Sequence, residues 1–127
     1  MKTREIVTSA QILRLEDDGI LRATAFPVHM SLAYAQEVVR ATIDLAGGKP
    51  RPVLVDIRAQ KTVDRAAREY FAGAEAAQGH CALALLVDSP VSKAIGNFFL
   101  ALSQAPVPRK LFTDEEDAMR WLRGFLR

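Results

Sequence analysis

Asp56 and Asp88 are the residues of this 127-residue sequence whose placement most suggests chemistry. Asp56 lies near the end of the short apolar run 53–57, and Asp88 directly follows the run 81–87. In neither run do apolar and polar residues alternate. Such runs are typical of parallel strands that are covered on both faces. Ligands gather outside the carboxyl ends of such strands, where two carboxylates could hold Mg²⁺ with a phosphate ligand. Without a third acidic ligand or a glycine-rich phosphate loop, we favour a structural role for both aspartates.

A second candidate site lies just after the run 81–87. Ser89 is the predicted N-cap of a helix, with Pro90 at its first position, where the missing amide costs nothing. Ser92 and Lys93 in the first turn could hold an anion through free backbone amides and the lysine charge. The alternative is an ordinary solvated first turn.

The remaining chemically reactive residues form no recognisable site. His80 and Cys81 are adjacent but lack the spacing of metal ligands, and a cysteine in a buried strand packs as a small hydrophobe. His29 lies between a predicted strand and helix without a partner in view. The sequence contains no nucleophile elbow, Walker loop, dinucleotide fingerprint or Cys-x-x-Cys pair. We therefore predict no enzymatic activity, no cofactor and no metal.

The first part of the chain is predicted to be a hairpin followed by a helix. Residues 11–16 and 20–26 mostly alternate, and an Asp-Gly turn at 17–19 joins them as antiparallel strands. The helix begins after Ser31 as N-cap and ends at Gly47.

The second part alternates strands with helices. A helix is predicted over 64–77, with Thr62 or Asp64 as its cap, and a short strand over 109–112. A capping box at 113–116 opens the last helix. The order predicts an α/β fold with an N-terminal antiparallel hairpin, then βα units that form a mostly parallel sheet of about five strands with about four helices.

Composition narrows the class of protein further. Residues 1–127 are the length of one domain, and 50% of them are hydrophobic, enough for one core. Seventeen basic against fifteen acidic residues give a net charge of +2, which does not favour nucleic-acid binding. The single cysteine and the absence of any apolar run near the roughly 20 residues of a membrane span lead us to expect a soluble, cytoplasmic protein.

Three segments carry a resemblance to a known family: PVLVDIRAQKTVDRAAREYFAG, CALALLVDSPVSKAIGNFFLAL and KLFTDEEDAMRWLRGF. They resemble small uncharacterised bacterial proteins of the STAS superfamily, which is also called SpoIIAA-like after an anti-sigma-factor antagonist. The fold of this superfamily is related to that of CRAL-TRIO lipid-binding domains. The resemblance covers most of the chain and implies the same order of strands and helices, while fold alone does not imply activity.

The regulatory motif of that superfamily is absent. The resemblance places a phosphorylatable Asp-Ser-Ser/Thr-Gly motif after strand 53–57, where this chain has residues 58–65 with neither serine nor glycine. Thr62 is the only hydroxyl there, and Asp64 could mimic a fixed negative charge. Because an acidic residue at a helix N-terminus is favoured by the helix dipole in any case, we prefer to interpret it as a cap.

Two functions remain open. The first, implied by the STAS resemblance, is a regulatory module that binds an unknown protein partner through helix 64–77, the loop before it and the neighbouring strand ends. The residues proposed for this surface are Asp56, Arg58, Lys61, Thr62, Asp64, Asp88, Ser89, Ser92 and Lys93. The alternative, implied by the CRAL-TRIO relationship, is a small-molecule or lipid-binding domain with space beneath the helix at 98–100. A cavity of several hundred Å³ would hollow out a core of this size, so we favour the first.

The sequence also predicts a homodimer. The third helix carries Phe98 and Phe99 in a wider apolar surface than one core-facing stripe requires, and Trp121 extends the last helix in the same way. Large exposed apolar patches often mark interfaces, and symmetric dimers are the commonest closed assembly. The alternative is that these aromatic residues pack within one chain.

Overall fold

The computed structural model describes residues 4–102 and 107–126. In chain order the elements are β1 (Arg4–Val7), β2 (Gln11–Leu15), β3 (Leu21–Ala25), β4 (His29–Met30), α1 (Leu32–Ala46), β5 (Arg51–Asp56), β6 (Thr62–Val63), α2 (Arg65–Phe71), β7 (His80–Leu86), α3 (Pro90–Leu102), β8 (Arg109–Phe112) and α4 (Glu115–Arg123). A 3₁₀ turn, Ala76–Gly79, leads into β7. The main sheet has the order β1-β2-β3-β5-β7-β8, with β3, β5, β7 and β8 mutually parallel and the β2–β3 hairpin antiparallel. The predicted fold class is confirmed.

The sheet has six strands rather than about five, because β1 was not predicted. β1 pairs antiparallel with β2 at the sheet edge, and three of its four residues are exposed. An edge strand with so little burial leaves no alternation in the sequence. A second, two-stranded sheet joins β4 to β6, with His29 level with Thr62. Strands of two residues are too short to produce a hydrophobic pattern.

The helix ends follow local capping rules, with two corrections. Ser31 accepts a hydrogen bond from the amide of Tyr34, and Gly47 closes α1 at a φ of 70°, as predicted. The helix predicted over 64–77 ends at Phe71, before Gly73, because glycine is a poor helix former. The N-cap of the last helix is Asp114, whereas the predicted capping box began at Thr113. The Asp114 carboxylate accepts a hydrogen bond from the Glu116 amide at 3.0 Å.

The helices divide unequally between the two faces of the sheet. On one face, which we call the α4 face, α4 alone packs on β5 and β7. The buried residues of that cluster are Ile20, Leu54, Ala82, Ala84, Leu86, Ala118, Met119 and Leu122. The other face, the α1–α3 face, is covered by α1, α2 and α3. Its strand residues include Leu13, Ala23, Val53, Val55, Leu83, Leu85 and Leu111.

The third helix approaches β8 closely at a glycine. A Cβ at Gly96 would lie 2.6 Å from Leu111 Cδ2, so a larger residue would push the helix away from the sheet. The core-facing stripe of α3 therefore runs through Ser92 and Gly96, with Ile95 and Phe99 packed against the core.

Candidate functional site

The carboxylate of Asp56 is fully engaged by a neighbouring arginine. Arg58 donates from Nε to Oδ1 at 2.9 Å, from Nη2 to Oδ2 at 2.7 Å, and from its backbone amide to Oδ1 at 3.0 Å. Partial burial raises the pKa of Asp56, but these hydrogen bonds and the arginine charge outweigh it, so the net pKa is lowered. A bidentate pair of this kind fixes the loop after β5 and leaves the carboxylate unavailable to a metal.

The predicted anion site at the start of α3 is closed by its own serines. Ser92 is buried, and its Oγ accepts from the amides of Asp88 at 2.9 Å and Ser89 at 3.0 Å. The Ser92 amide in turn donates to Ser89 Oγ at 3.1 Å, which confirms Ser89 as the N-cap. The amides of Asp88, Ser89 and Ser92 are thus satisfied within the turn, and Lys93 is left exposed beside them.

A histidine holds the loop before α2. His29 Nδ1 lies 2.5 Å from Thr62 Oγ1, and His29 Nε2 lies 2.7 Å from Asp64 Oδ1. A carboxylate only accepts hydrogen bonds, so Nε2 is the donor of this pair. Asp64 occupies the N-cap position of α2, but its side chain makes no capping bond because His29 engages it. Lys61, directly before Thr62, is exposed.

The same loop is anchored from inside by a buried glutamine. Gln60 is 4% exposed and donates from Nε2 to the carbonyls of Val28 at 2.7 Å and Thr62 at 3.2 Å. Ile57, at the start of the loop, is 3% exposed. The β5–α2 loop is therefore held at both ends and in the middle, while Arg58, Lys61 and Thr62 remain exposed.

The structure brings the strand-end residues to one edge of the sheet, as predicted. β5 and β7 are parallel neighbours, so Asp56 and Asp88 follow adjacent strands. The pKa of Arg58 is raised, mainly by its hydrogen bond to Asp56; burial opposes the rise, and the charges of Asp56, Asp88 and Glu115 add to it. Within residues 4–102 and 107–126, no three histidine, cysteine, aspartate or glutamate side chains are grouped as a metal site would require.

A cavity of about 100 Å³ lies on the α1–α3 face and is partly open to solvent. Its walls come from the sheet, from α1, α2 and α3, and from the β5–α2 loop. The apolar wall includes Val39, Val53, Val55, Leu83, Leu85 and Phe99. This volume is far below the several hundred Å³ of a drug-sized or lipid pocket.

Three polar side chains that line this cavity have buried atoms without a hydrogen-bond partner in the described part of the chain. The unpartnered buried atoms are Oε1 of Gln11, Nε2 of His80, and Nε and Nη2 of Arg109. Burial lowers the pKa of His80 to about 4, helped by the nearby charge of Arg109, so the ring is neutral at pH 7. Burial likewise lowers the pKa of Arg109. Buried polar atoms are nearly always paired, so a cluster of unpaired ones calls for an explanation.

Gln11, His80 and Arg109 were not predicted as site residues, although a signal was present. Alternation along a strand puts Gln11 on the same face as Leu13, and Arg109 on the same face as Leu111. A polar residue at an inward-facing strand position is the signal that marks such a site.

The aromatic residues predicted at a dimer interface lie on opposite sides of the sheet. Phe98 on α3 is 41% exposed, and the guanidinium of Arg68 lies 4.0 Å from its ring centre. Phe99 packs edge-on against Phe71 at 5.6 Å between ring centres. Trp121, on α4, packs against Phe112 and Phe125 within the same chain. These residues therefore do not form one continuous patch.

A domain-family model described as a domain of unknown function, DUF7793, matches residues 13–126. The chain belongs to this family. Comparison with curated proteins gives no match. None of the helices among residues 4–102 and 107–126 combines the length and apolar character needed to cross a bilayer.

Solved structures show what this DUF7793 domain resembles. An uncharacterised DUF3478-family protein from Shewanella loihica PV-4, described as having a SpoIIAA-like fold, superposes with a TM-score of 0.60 at 16% identity, over 95% of this chain and 92% of that one. The anti-sigma factor antagonist SpoIIAA in its unphosphorylated form gives 0.55 at 17% identity, over 91% and 100%. A protein of unknown function from Arthrobacter sp. FB24 is 35% identical over 87% and 96%, with a TM-score of 0.35. The fold is therefore SpoIIAA-like, as the sequence predicted.

Proposed function

We propose that the chain is a cytoplasmic, non-enzymatic regulatory module that binds a partner protein through the β5–α2 loop surface, defined as Arg58, Lys61, Thr62 and Asp64. The observation that carries the proposal is the fixed conformation of this loop. His29 and Gln60 hold it from outside and inside, and Arg58 is clamped to Asp56. A loop ordered before binding loses little conformational entropy when a partner docks.

The charge of this surface indicates the kind of partner. Lys61 is exposed and forms no ion pair with the described residues, whereas Arg58 pairs with Asp56 and Arg65 with Glu69. An exposed cation without an ion-pair partner attracts an acidic surface and speeds its association. We therefore propose a partner protein with an acidic patch.

Two further observations support the proposal. The fold resembles that of an anti-sigma factor antagonist, a protein whose name describes action on another protein. The one cysteine, Cys81, is free, which fits a reducing compartment such as the cytoplasm.

The proposal is tested by capture experiments on the natural lysate with matched charge reversals. Lys61→Glu should lose the partner, because it reverses the exposed charge at the centre of the loop surface. Lys49→Glu is the control, because Lys49 is exposed in the loop before β5, at the opposite end of that strand. Quantitative mass spectrometry should find a protein retained by the parent and by Lys49→Glu and absent from Lys61→Glu. Equal capture by all three proteins would contradict the proposal.

We also propose a homodimer, now restricted to the exposed side of α3. Val91 and Phe98 are 58% and 41% exposed, a large apolar area for one helix. Sedimentation at micromolar concentration should give the dimer mass for the parent and the monomer mass for Phe98→Glu. Phe99→Glu is a poor test, since Phe99 packs against the core cluster of Ile57 and Leu85. A parent that sediments as a monomer would refute the dimer.

A further inference from the structure

The cavity on the α1–α3 face has an apolar middle and polar ends. Strand register places Arg109 level with Leu83 and Val53, in one row across the sheet. The next row toward the carboxyl ends contains Leu85 and Val55. Gln11, paired with the last residue of β3, lies beyond that row at the opposite end of the cavity.

Two nitrogens of the Arg109 guanidinium, beside the cavity, are without a hydrogen-bond partner in the described part of the chain. Its Nε and Nη2 are buried and have no partner among residues 4–102 and 107–126. These are the same two atoms with which Arg58 holds both oxygens of Asp56. Among the described residues that line the cavity, none is acidic. Arg109 therefore has no carboxylate partner in the described cavity lining, whereas Arg58 is paired with Asp56.

The other polar atoms restrict where a ligand would be held. Nε2 of His80 is buried and unpartnered among the described residues, and the ring lines the same cavity as Arg109. Because His80 is neutral at pH 7, the positive charge at this end of the cavity belongs to Arg109. At the far end, Oε1 of Gln11 is an unsatisfied acceptor.

We propose that this cavity binds a small carboxylate with a compact apolar body. The carboxylate pairs with the guanidinium of Arg109, and the apolar body lies between Val55, Leu83 and Leu85. An engineered apolar cavity of about 150 Å³ holds benzene, so a cavity of about 100 Å³ that is partly open limits the ligand to roughly that size. The site does not depend on the proposed protein interaction, so either can fail alone.

The site differs in chemistry from those of other common small ligands. A phosphate or nucleotide would need several donors and a polar wall, whereas this wall is largely apolar. A long-chain lipid exceeds the volume. A neutral hydrocarbon of the right size would leave Arg109 unpaired, at a cost that a carboxylate removes.

The test is methyl-labelled NMR of the full chain, titrated with benzoate and, as a second shape, pentanoate. The methyl signals of Val55, Leu83 and Leu85 should shift, because these residues line the cavity. Those of Leu86 and Leu122 should not, because they lie on the α4 face. We expect saturation at or below about 20 mM for ligands of this size. Benzamide, which has the same shape without the charge, should bind at least about tenfold more weakly.

Arg109→Gln should weaken benzoate binding at least about tenfold, since it removes the charged donor edge. Arg123→Gln, a change of the same kind at an exposed position on α4, should leave binding unchanged. If Arg109→Gln fails to fold, the comparison of benzoate with benzamide on the parent decides the question. The proposal is overturned if neither carboxylate shifts the cavity methyls, if benzamide binds as tightly as benzoate, or if Arg109→Gln binds benzoate like the parent.

Discussion

The two faces of the central sheet differ in how completely they are packed. The α4 face is covered by one helix, and its cluster of eight buried residues is entirely apolar, with none more than 4% exposed. The α1–α3 face is covered by three helices, yet it contains the cavity and the unpaired atoms of Gln11, His80 and Arg109, whereas the described residues of the α4 face include one such atom, Nε of Arg22. The face that three helices cover is therefore less completely packed than the face that one helix covers.

This difference indicates a division of roles. Close packing maximises dispersion contacts and stability, so the α4 face supports the fold. Unpaired buried polar atoms cost free energy, and sequences tolerate them where they serve a ligand. The α1–α3 face also carries the β5–α2 loop, whose Gln60 and Val63 line the cavity. Both proposed binding sites therefore lie on the less completely packed face.

Substituting adjacent residues of β7 compares the two faces directly. Leu86 is 1% exposed on the α4 face, and Leu85 lines the cavity on the other. Leu86→Asp should unfold the domain, because an unpaired charge in a dry core costs several kcal/mol, comparable with the total stability. Leu85→Asp should be less damaging, since the cavity leaves room for the carboxylate and its lining includes the unpaired cation of Arg109. Thermal melts followed by circular dichroism would measure both, and equal loss of structure would argue against the distinction between the faces.

The buried histidine predicts how stability depends on pH. The pKa of His80 is about 4 in the folded protein and 6.5 when unperturbed. The unfolded chain therefore binds a proton between these values that the folded protein does not, so the free energy of unfolding should fall as the pH drops from 6.5 towards 4. The full loss is on the order of 3 kcal/mol. Urea unfolding at several pH values should show a flatter profile for His80→Asn, and identical profiles would contradict this account.

Removing the unpaired polar group at the other end of the cavity should stabilise the protein. Gln11→Met keeps the side-chain length and removes the unsatisfied Oε1, with an expected gain of about 1 kcal/mol. Leu13→Met, on the same strand and face, is the control and should be neutral or slightly destabilising. Urea unfolding would measure both changes. A loss of stability in Gln11→Met would mean that the glutamine supports the fold.

The smallest effect concerns the loop above the cavity. His29→Ala removes contacts of a half-exposed ring with Thr62 and Asp64, so it should cost less than about 1 kcal/mol of global stability. Its local effect should be larger, because the loop loses its outer anchor. Hydrogen exchange of the amides in residues 58–64 should speed up while that of β7 stays unchanged. Unaltered exchange in the loop would show that Gln60 alone fixes it.

The fold could be predicted because each of its signals is local. Ser89 and Pro90 mark a helix start, Gly47 marks a helix end, and the apolar runs mark buried strands wherever they occur. Exceptions such as β1 and β4 lie at an edge or are too short to bury a pattern. Val91 and Phe98 are exposed because α3 turns its small residues Ser92 and Gly96 to the core, and a hydrophobicity pattern gives those small residues no weight.

The cavity could not be predicted because it depends on contacts between distant parts of the chain. Gln11, His80 and Arg109 meet only after three crossover connections have placed β2, β7 and β8 in one sheet. Each alone resembles an ordinary strand residue. The volume between the helices is set by how α1, α2 and α3 pack, which no spacing of residues specifies. The strand-end carboxylates were correctly placed at one edge, but their partners, Arg58 and Ser92, became clear only from the side-chain geometry.

The most direct test of the central claim, that the α1–α3 face keeps its polar atoms for a ligand, is the melting temperature of Arg109→Met with and without benzoate. Methionine preserves the apolar stem and removes the unpaired charge. Without benzoate this variant should melt above the parent. Benzoate should raise the melting temperature of the parent by mass action and leave that of the variant unchanged. A variant that melts below the parent, together with a parent that benzoate does not stabilise, would contradict the claim.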